Sequence, residues 1–365
     1  MIRGMDEQRQ RWNFIDLIEV IGILFVLMYH STTYYFNILD KSLGLFLKYY
    51  LRTVLSMCVP LFFFANGYLL INRKFDFKKH INKLVRIVIL TFIWGIGNVL
   101  LYRPIEDEYM SIVEIVKHIL VCWPECTKHL WYMGALICIY VFFPFLKIAY
   151  DNNKQVFCYL IIIIACFTFG NTIINHVVSI LSGLMGKGNE VYRQNWFGMF
   201  NPFRGIYGYA FVYFCVGGMA YDIKNKLETI EVVKRNVLAI VAIIFSSMLL
   251  FGEGVYFTFL TGEVWDVVCQ GYDTVFTFIS VCALFVLSLS YNKEYKCVKL
   301  ISCNILGIYF IHDVIIHMLR PFVKEISLMD SYIGGLVFAV IVLMISLIVV
   351  LFLKQIPVVK QLFII

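Results

Sequence analysis

The chain has 365 residues, 61% of them hydrophobic and only 15% charged, with 31 Lys and Arg against 24 Asp and Glu. About a quarter charged is usual for a soluble domain, so a soluble fold is excluded and the mean hydropathy of +0.81 indicates an all-α polytopic membrane protein. A net charge of +7 matters here through its placement rather than its sum, and no nucleic-acid partner is expected.

A hydrocarbon core about 30 Å thick needs about 20 mostly apolar residues per helix. Ten segments answer to that, at 14–36, 46–71, 81–102, 129–150, 156–176, 203–222, 235–252, 272–291, 301–320 and 332–353. The first is unusual. Asp16 and Glu19 stand at one end of its apolar run and His30 at the other, and no small-residue cleavage site follows, so a cleaved signal is not expected. Each helical residue advances about 100° and rises about 1.5 Å. Glu19 and His30 are therefore about 20° apart in azimuth and about 16 Å apart along the axis, and Asp16 is about 40° and about 21 Å from His30. All three share one face. Charges in lipid cost at least a few kcal/mol each, so this stripe should face a protein interior or a water-filled cavity. The plainer alternatives are a helix cap for Asp16, pairing with Arg11 or a basic loop for Glu19, and a core histidine bonded to a hydroxyl for His30.

Between the second and third segments lies "NRKFDFKKHINKLVRI", with Arg73, Lys74, Lys83 and Arg86. Lys83 and Arg86 are three apart and share a helix face. With the N-terminus inside, 20 of the 31 Lys and Arg fall on the inner side, so both termini are expected to be cytoplasmic. Two longer outer loops follow, at about 103–128, which holds "CWPEC", and at about 177–202. Cys122 and Cys126 could pair there. Cys58, Cys138, Cys158, Cys166, Cys215 and Cys282 lie in apolar runs and read as small buried hydrophobes. The fourth segment opens with His129 and Trp131, and a Trp at that depth is commonly an interfacial anchor. In the sixth, Gly217 and Gly218 suggest close helix packing. The ninth carries Tyr309 and His312 within the membrane, where polar groups are costly, with His317 and Arg320 nearer its outer end. No internal repeat stands out, and residues 1–365 read as a single membrane domain.

Five stretches in order resemble one family, the membrane acyltransferase-3 proteins. They are "IDLIEVIGILFVLMYH", "VPLFFFANGYLL", "KLVRI", "HLWYMGALICIYVFFPFL" and "ILGIYFIHDVII", which together cover nearly the full chain. Two departures stand out: Glu19 occupies a place where most members have Arg, and Asn66 stands where Ser is usual before Gly67.

The resemblance implies an integral-membrane O-acyltransferase of the single-domain kind. It would move acetyl from acetyl-CoA to a hydroxyl of a bacterial surface polysaccharide or its lipid-linked precursor, without a metal. It implies His30 as general base or transient acyl carrier, since imidazole titrates near neutral pH, with Asp16 and Glu19 acting on it only through intermediates. Lys83 and Arg86, and more weakly Arg73 and Lys74, would meet the donor's phosphates, the alternative being anchors to lipid headgroups. Asn66, His129, Trp131, Tyr309 and His312 would line the acceptor side. The expected place is the bacterial cytoplasmic membrane, with self-association left open. Two rival readings are an exporter using the same polar passage without chemistry and a membrane sensor coupled to a partner.

Overall fold

The computed structural model describes residues 12–31, 37–106, 125–199, 207–323 and 331–363, with 111, 113, 114, 116, 117 and 326 as isolated positions between them. Arg11 and the Cys122–Cys126 pairing lie outside the described side chains. Among the described residues the fold is all-α.

The first pass is α1 (Asn13–His30). The second is split into α2 (Leu43–Val54) and α3 (Cys58–Ile71) by the tight turn Leu55–Met57. Pro60 accounts for the break. It has no N–H to give, and its ring clashes with the carbonyl four residues back, at Ser56. Then come α4 (Phe77–Glu106) and α5 (Trp131–Asn152). The next pass is α6 (Lys154–Ala165) and α7 (Asn171–Leu184), joined by a π-helical turn at Cys166–Gly170. The chain continues through α8 (Gly208–Glu228), α9 (Val232–Thr261), α10 (Val275–Ser288), the short α11 (Lys296–Ser302), α12 (Ile305–Val323), α13 (Tyr332–Leu353) and the short α14 (Pro357–Lys360).

Every one of the ten expected segments coincides with a helical pass. Eight of the passes among the described residues are long and apolar enough to cross a membrane by length and composition. The remaining two fall short for different reasons. α10 has only 14 residues, and the last third of α8 carries Asp222, Lys224, Lys226 and Glu228.

Side-chain contacts sort the helix ends into two faces. On one, Asn13 Nδ2 donates to Asn292 O at 3.0 Å, and Tyr150 OH donates to Asn72 Oδ1 and Asp222 Oδ2 at 2.7 and 2.9 Å. Ser302 Oγ reaches Asp16 and Glu19, and Lys354 Nζ donates to Asn304 Oδ1 at 2.6 Å. These contacts join the start of α1 to the end of α13, so both ends of the helical array lie on this terminal face. His30, the start of α3, the start of α5, the α9–α10 loop and the end of α12 lie on the opposite face.

Burial places α3 at the centre. The most apolar 18-residue stretch of the α2–α3 pass is 78% buried, against 28% for the corresponding stretches of α6–α7 and of α9. The outer passes turn large apolar side chains outward, among them Ile93, Phe245 and Ile348, as a helix against lipid must. α3 and α8 approach backbone to backbone. A Cβ at Gly67 would sit 1.7 Å from Phe214 O, and one at Gly217 would sit 2.1 Å from Phe64 O. Gly217 and Gly218 therefore serve packing, as small residues between membrane helices do.

Candidate active site

Three imidazoles gather on the face opposite the termini. His30 is the last residue of α1, whose end is closed by Ser31 N–H donating to Leu27 O at 2.8 Å. His312 comes from α12, with its ring 5.4 Å from that of His30. His129 leads into α5, with its ring 5.4 Å from that of His312. His312 is wholly buried. Its Nδ1–H donates back to Tyr309 O at 2.6 Å, which leaves Nε2 as the lone-pair nitrogen. No partner meets that Nε2 among the described residues.

His129 is held on every side. Asn98 Nδ2 lies 3.2 Å from its Nε2, Asp313 Oδ2 lies 3.4 Å from its Nδ1, and its backbone carbonyl accepts from Tyr309 OH. An amide nitrogen only donates, so Nε2 accepts and Nδ1 carries the proton, near the Asp313 carboxylate but not hydrogen-bonded to it. Three helices thus converge here: α4 brings Asn98, α5 follows His129, and α12 brings Tyr309, His312 and Asp313.

A cavity of about 650 Å³ opens on this cluster, and His30, His129, Tyr309 and Asp313 line it. Lys128, His317 and Arg320 give it basic walls, and Trp131, Tyr132 and Tyr272 give it aromatic ones. Beside His30, Tyr29 OH donates to Asp266 Oδ2 at 2.7 Å and lies 2.8 Å from Cys269 Sγ. Arg52 covers the Tyr29 ring at 4.9 Å and pairs with Asp266 at 3.6 Å. Burial pushes the Cys269 thiol up to about 11, so it stays protonated near neutral pH and is a weak nucleophile.

The structure separates the other expected residues. Asp16 and Glu19 sit at the far end of α1, where Ser302 Oγ lies 2.8 Å from Asp16 Oδ1 and 2.7 Å from Glu19 Oε2. The polar stripe of α1 therefore does share one face, turned towards α11 and α12, but its carboxylates and its imidazole are not brought together. Lys83 and Arg86 also part company. Lys83 Nζ stands 5.3 Å over the Tyr140 ring, and Arg86 Nη2 donates to Gln361 O and Oε1 at 3.1 and 3.0 Å. Arg73 is half-buried and Lys74 exposed on the same terminal face. Asn66 stands behind the cavity wall, donating to Phe62 O at 2.9 Å and to Tyr132 OH at 3.2 Å. Trp131 lines the cavity and stacks on Tyr272 at 6.0 Å.

Sequence reasoning missed Asp313, Asn98 and the Arg52–Asp266 pair. Arg52 and Asp313 carried a usable signal, since each is a charged residue inside an expected span. Asn98 carried a weaker one, as a lone amide in an apolar run.

A family model described as an acyltransferase domain, of the acyltransferase-3 type, matches residues 12–354. The chain belongs to the acyltransferase-3 family. No curated protein and no solved structure matches it. The acyltransferase-3 domain, together with eight stretches among the described residues long and apolar enough to cross a membrane, makes this chain a multi-pass membrane acyltransferase. Within that acyltransferase-3 domain, the imidazole cluster and its cavity are where the described residues concentrate groups able to move a proton.

Proposed function

We propose that this acyltransferase transfers acetyl from acetyl-CoA to a hydroxyl of a bacterial cell-surface polysaccharide or its lipid-linked precursor, with His30 as the general base. The observation that carries the reading is the position of His30: it ends a membrane helix on the wall of a large cavity, beside two further imidazoles and a carboxylate. In the transfer, an imidazole nitrogen of His30 takes the acceptor hydroxyl proton as the new C–O bond forms. The C–S bond of the thioester then breaks and the thiolate leaves, to be reprotonated as CoA–SH. His312, with His129 and Asp313 beyond it, positions this base. Lys83 and Arg86, with Arg73 and Lys74, are proposed to receive the donor's phosphates on the terminal face, taken as cytoplasmic from the excess of Lys and Arg there.

The test is turnover by purified protein in lipid nanodiscs, with acetyl-CoA as donor and surface polysaccharide from a gene-deleted strain as acceptor. Wild type should release CoA and acetylate the glycan. His30→Ala should lower the rate at least about 100-fold while inserting and purifying normally. Unchanged turnover in His30→Ala, or movement of glycan without CoA release, overturns the reading, and the second result would favour an exporter.

A further inference from the structure

A second cavity of about 590 Å³ adjoins the His30 cavity. The two share Trp131, Cys269 and Tyr272, and Cys269 Sγ lies 2.8 Å from the hydroxyl of Tyr29, the residue before His30. The π turn at Cys166–Gly170 shapes one wall. Such a turn is wider than an α turn and shifts the register of the side chains that follow it, and Phe167 and Thr168 within it line the cavity. Directly beyond it, α7 fixes the 191–196 segment through its own side chains. Trp196 N–H donates to Asn171 Oδ1 at 2.9 Å, Gln194 N–H to Asn175 Oδ1 at 2.9 Å, and Tyr192 N–H to Ser179 Oγ at 2.8 Å. The facing wall is the α9–α10 loop, which brings Trp265, Gln270, Tyr272 and Asp273.

The lining is aromatic and amide-rich with little net charge. Asp273 Oδ2 accepts from Thr172 Oγ1 at 2.6 Å, and His176 Nδ1 is paired with Glu253 Oε1 at 2.7 Å. A polyanion needs convergent cations, and here Arg193 stands among neutral groups. A lipid tail has no use for Gln194 or Gln270. Flat aromatic surfaces beside amide donors and acceptors suit a ligand with apolar faces and hydroxyl edges. One atom asks for such a partner. Trp265 is 5% exposed, it lines the cavity, and its Nε1–H has no acceptor among the described residues.

We infer that this second cavity is the acceptor subsite, holding a neutral oligosaccharide segment whose reactive hydroxyl passes Trp131 and Tyr272 to reach His30. The inference rests on the acyl-transfer reading of His30, and binding can be measured apart from transfer. The probe is surface polysaccharide from a gene-deleted strain, cut to oligosaccharides and split into neutral and acidic fractions, titrated calorimetrically into the full chain in nanodiscs. The neutral fraction should bind wild type. Trp265→Phe, which keeps a ring and removes the N–H, and Gln270→Ala should each weaken binding about ten-fold. Each should raise KM for the oligosaccharide by a similar factor while KM for acetyl-CoA stays unchanged, which also reports that the variant is folded. Equal binding by wild type and both variants overturns the subsite, as does binding of the acidic fraction alone or of neither fraction. His30→Ala separates the two claims. Glycan binding kept with transfer lost supports both, whereas glycan binding and transfer both kept sinks the base and leaves the subsite standing.

Discussion

Asp313 holds the one carboxylate paired with an imidazole of the cluster among the described residues, at 3.4 Å from His129 Nδ1, and it is 7% exposed. Removing its charge while keeping its shape should disturb chemistry more than folding. Asp313→Asn is expected to lower kcat about ten-fold or more with KM for donor and acceptor unchanged; a rise in KM alone would mean that Asp313 binds substrate rather than supporting the base. At this scale the sequence was informative in one direction only. Helical spacing placed Asp16, Glu19 and His30 on one face, and motif resemblance drew attention to His129, Tyr309 and His312. Spacing within a helix cannot say which neighbour meets that face. The partners of His129 come from Asn98 and Asp313, 31 residues before it and 184 after, and only packing brings them together. The reversal at Glu19 now has a local setting as well: it shares the hydroxyl of Ser302 with Asp16.

Helices as units were the most legible part of the chain. All ten expected segments overlap helices, and eight of these are long and apolar enough to cross a membrane, because about 20 apolar residues have no other way to satisfy their backbone in lipid than a helix. Interruptions inside a pass were harder to see. Pro60 announces the break between α2 and α3 by its missing donor, but the π turn at Cys166–Gly170 has no residue signature and follows from packing. The contact between α3 and α8 gives a sharp prediction. Gly217→Ala would drive a methyl towards Phe64 O, 2.1 Å from the ideal Cβ position, and neither backbone can yield without moving a central helix. A loss of about 1–3 kcal/mol or more is expected, read as an earlier thermal transition in detergent by fluorescence-detected size exclusion. Gly97→Ala on α4 is the matched control, because nothing lies within 4 Å of its Cβ position. It should be neutral or stabilise by about 0.5–1 kcal/mol, since alanine gives up less chain entropy in a helix than glycine does. If both variants melt alike, the close approach of α3 and α8 is not limiting stability.

Across the whole molecule, residues 361–363 tie together helices far apart in sequence. Gln361 takes two hydrogen bonds from Arg86, Leu362 O accepts from Trp94 Nε1 at 3.1 Å, and the Phe363 ring packs 5.3 Å from that of Trp94. Phe363 is 4% exposed, a burial worth about 1.5–3 kcal/mol. Truncation before Pro357 should therefore lower the thermal midpoint, and Phe363→Ala should reproduce most of the shift; an unchanged midpoint in both would show that the docking adds nothing to stability. The same docking bears on synthesis. Trp94 also stacks on Phe310 of α12 at 4.9 Å, so the groove that receives Phe363 is built from α4 and α12, both finished well before residue 363 leaves the ribosome. A chain inserted helix by helix carries that groove open until α13 has followed α12 and residue 363 has emerged, so Phe363 docks only after the helices that form its seat.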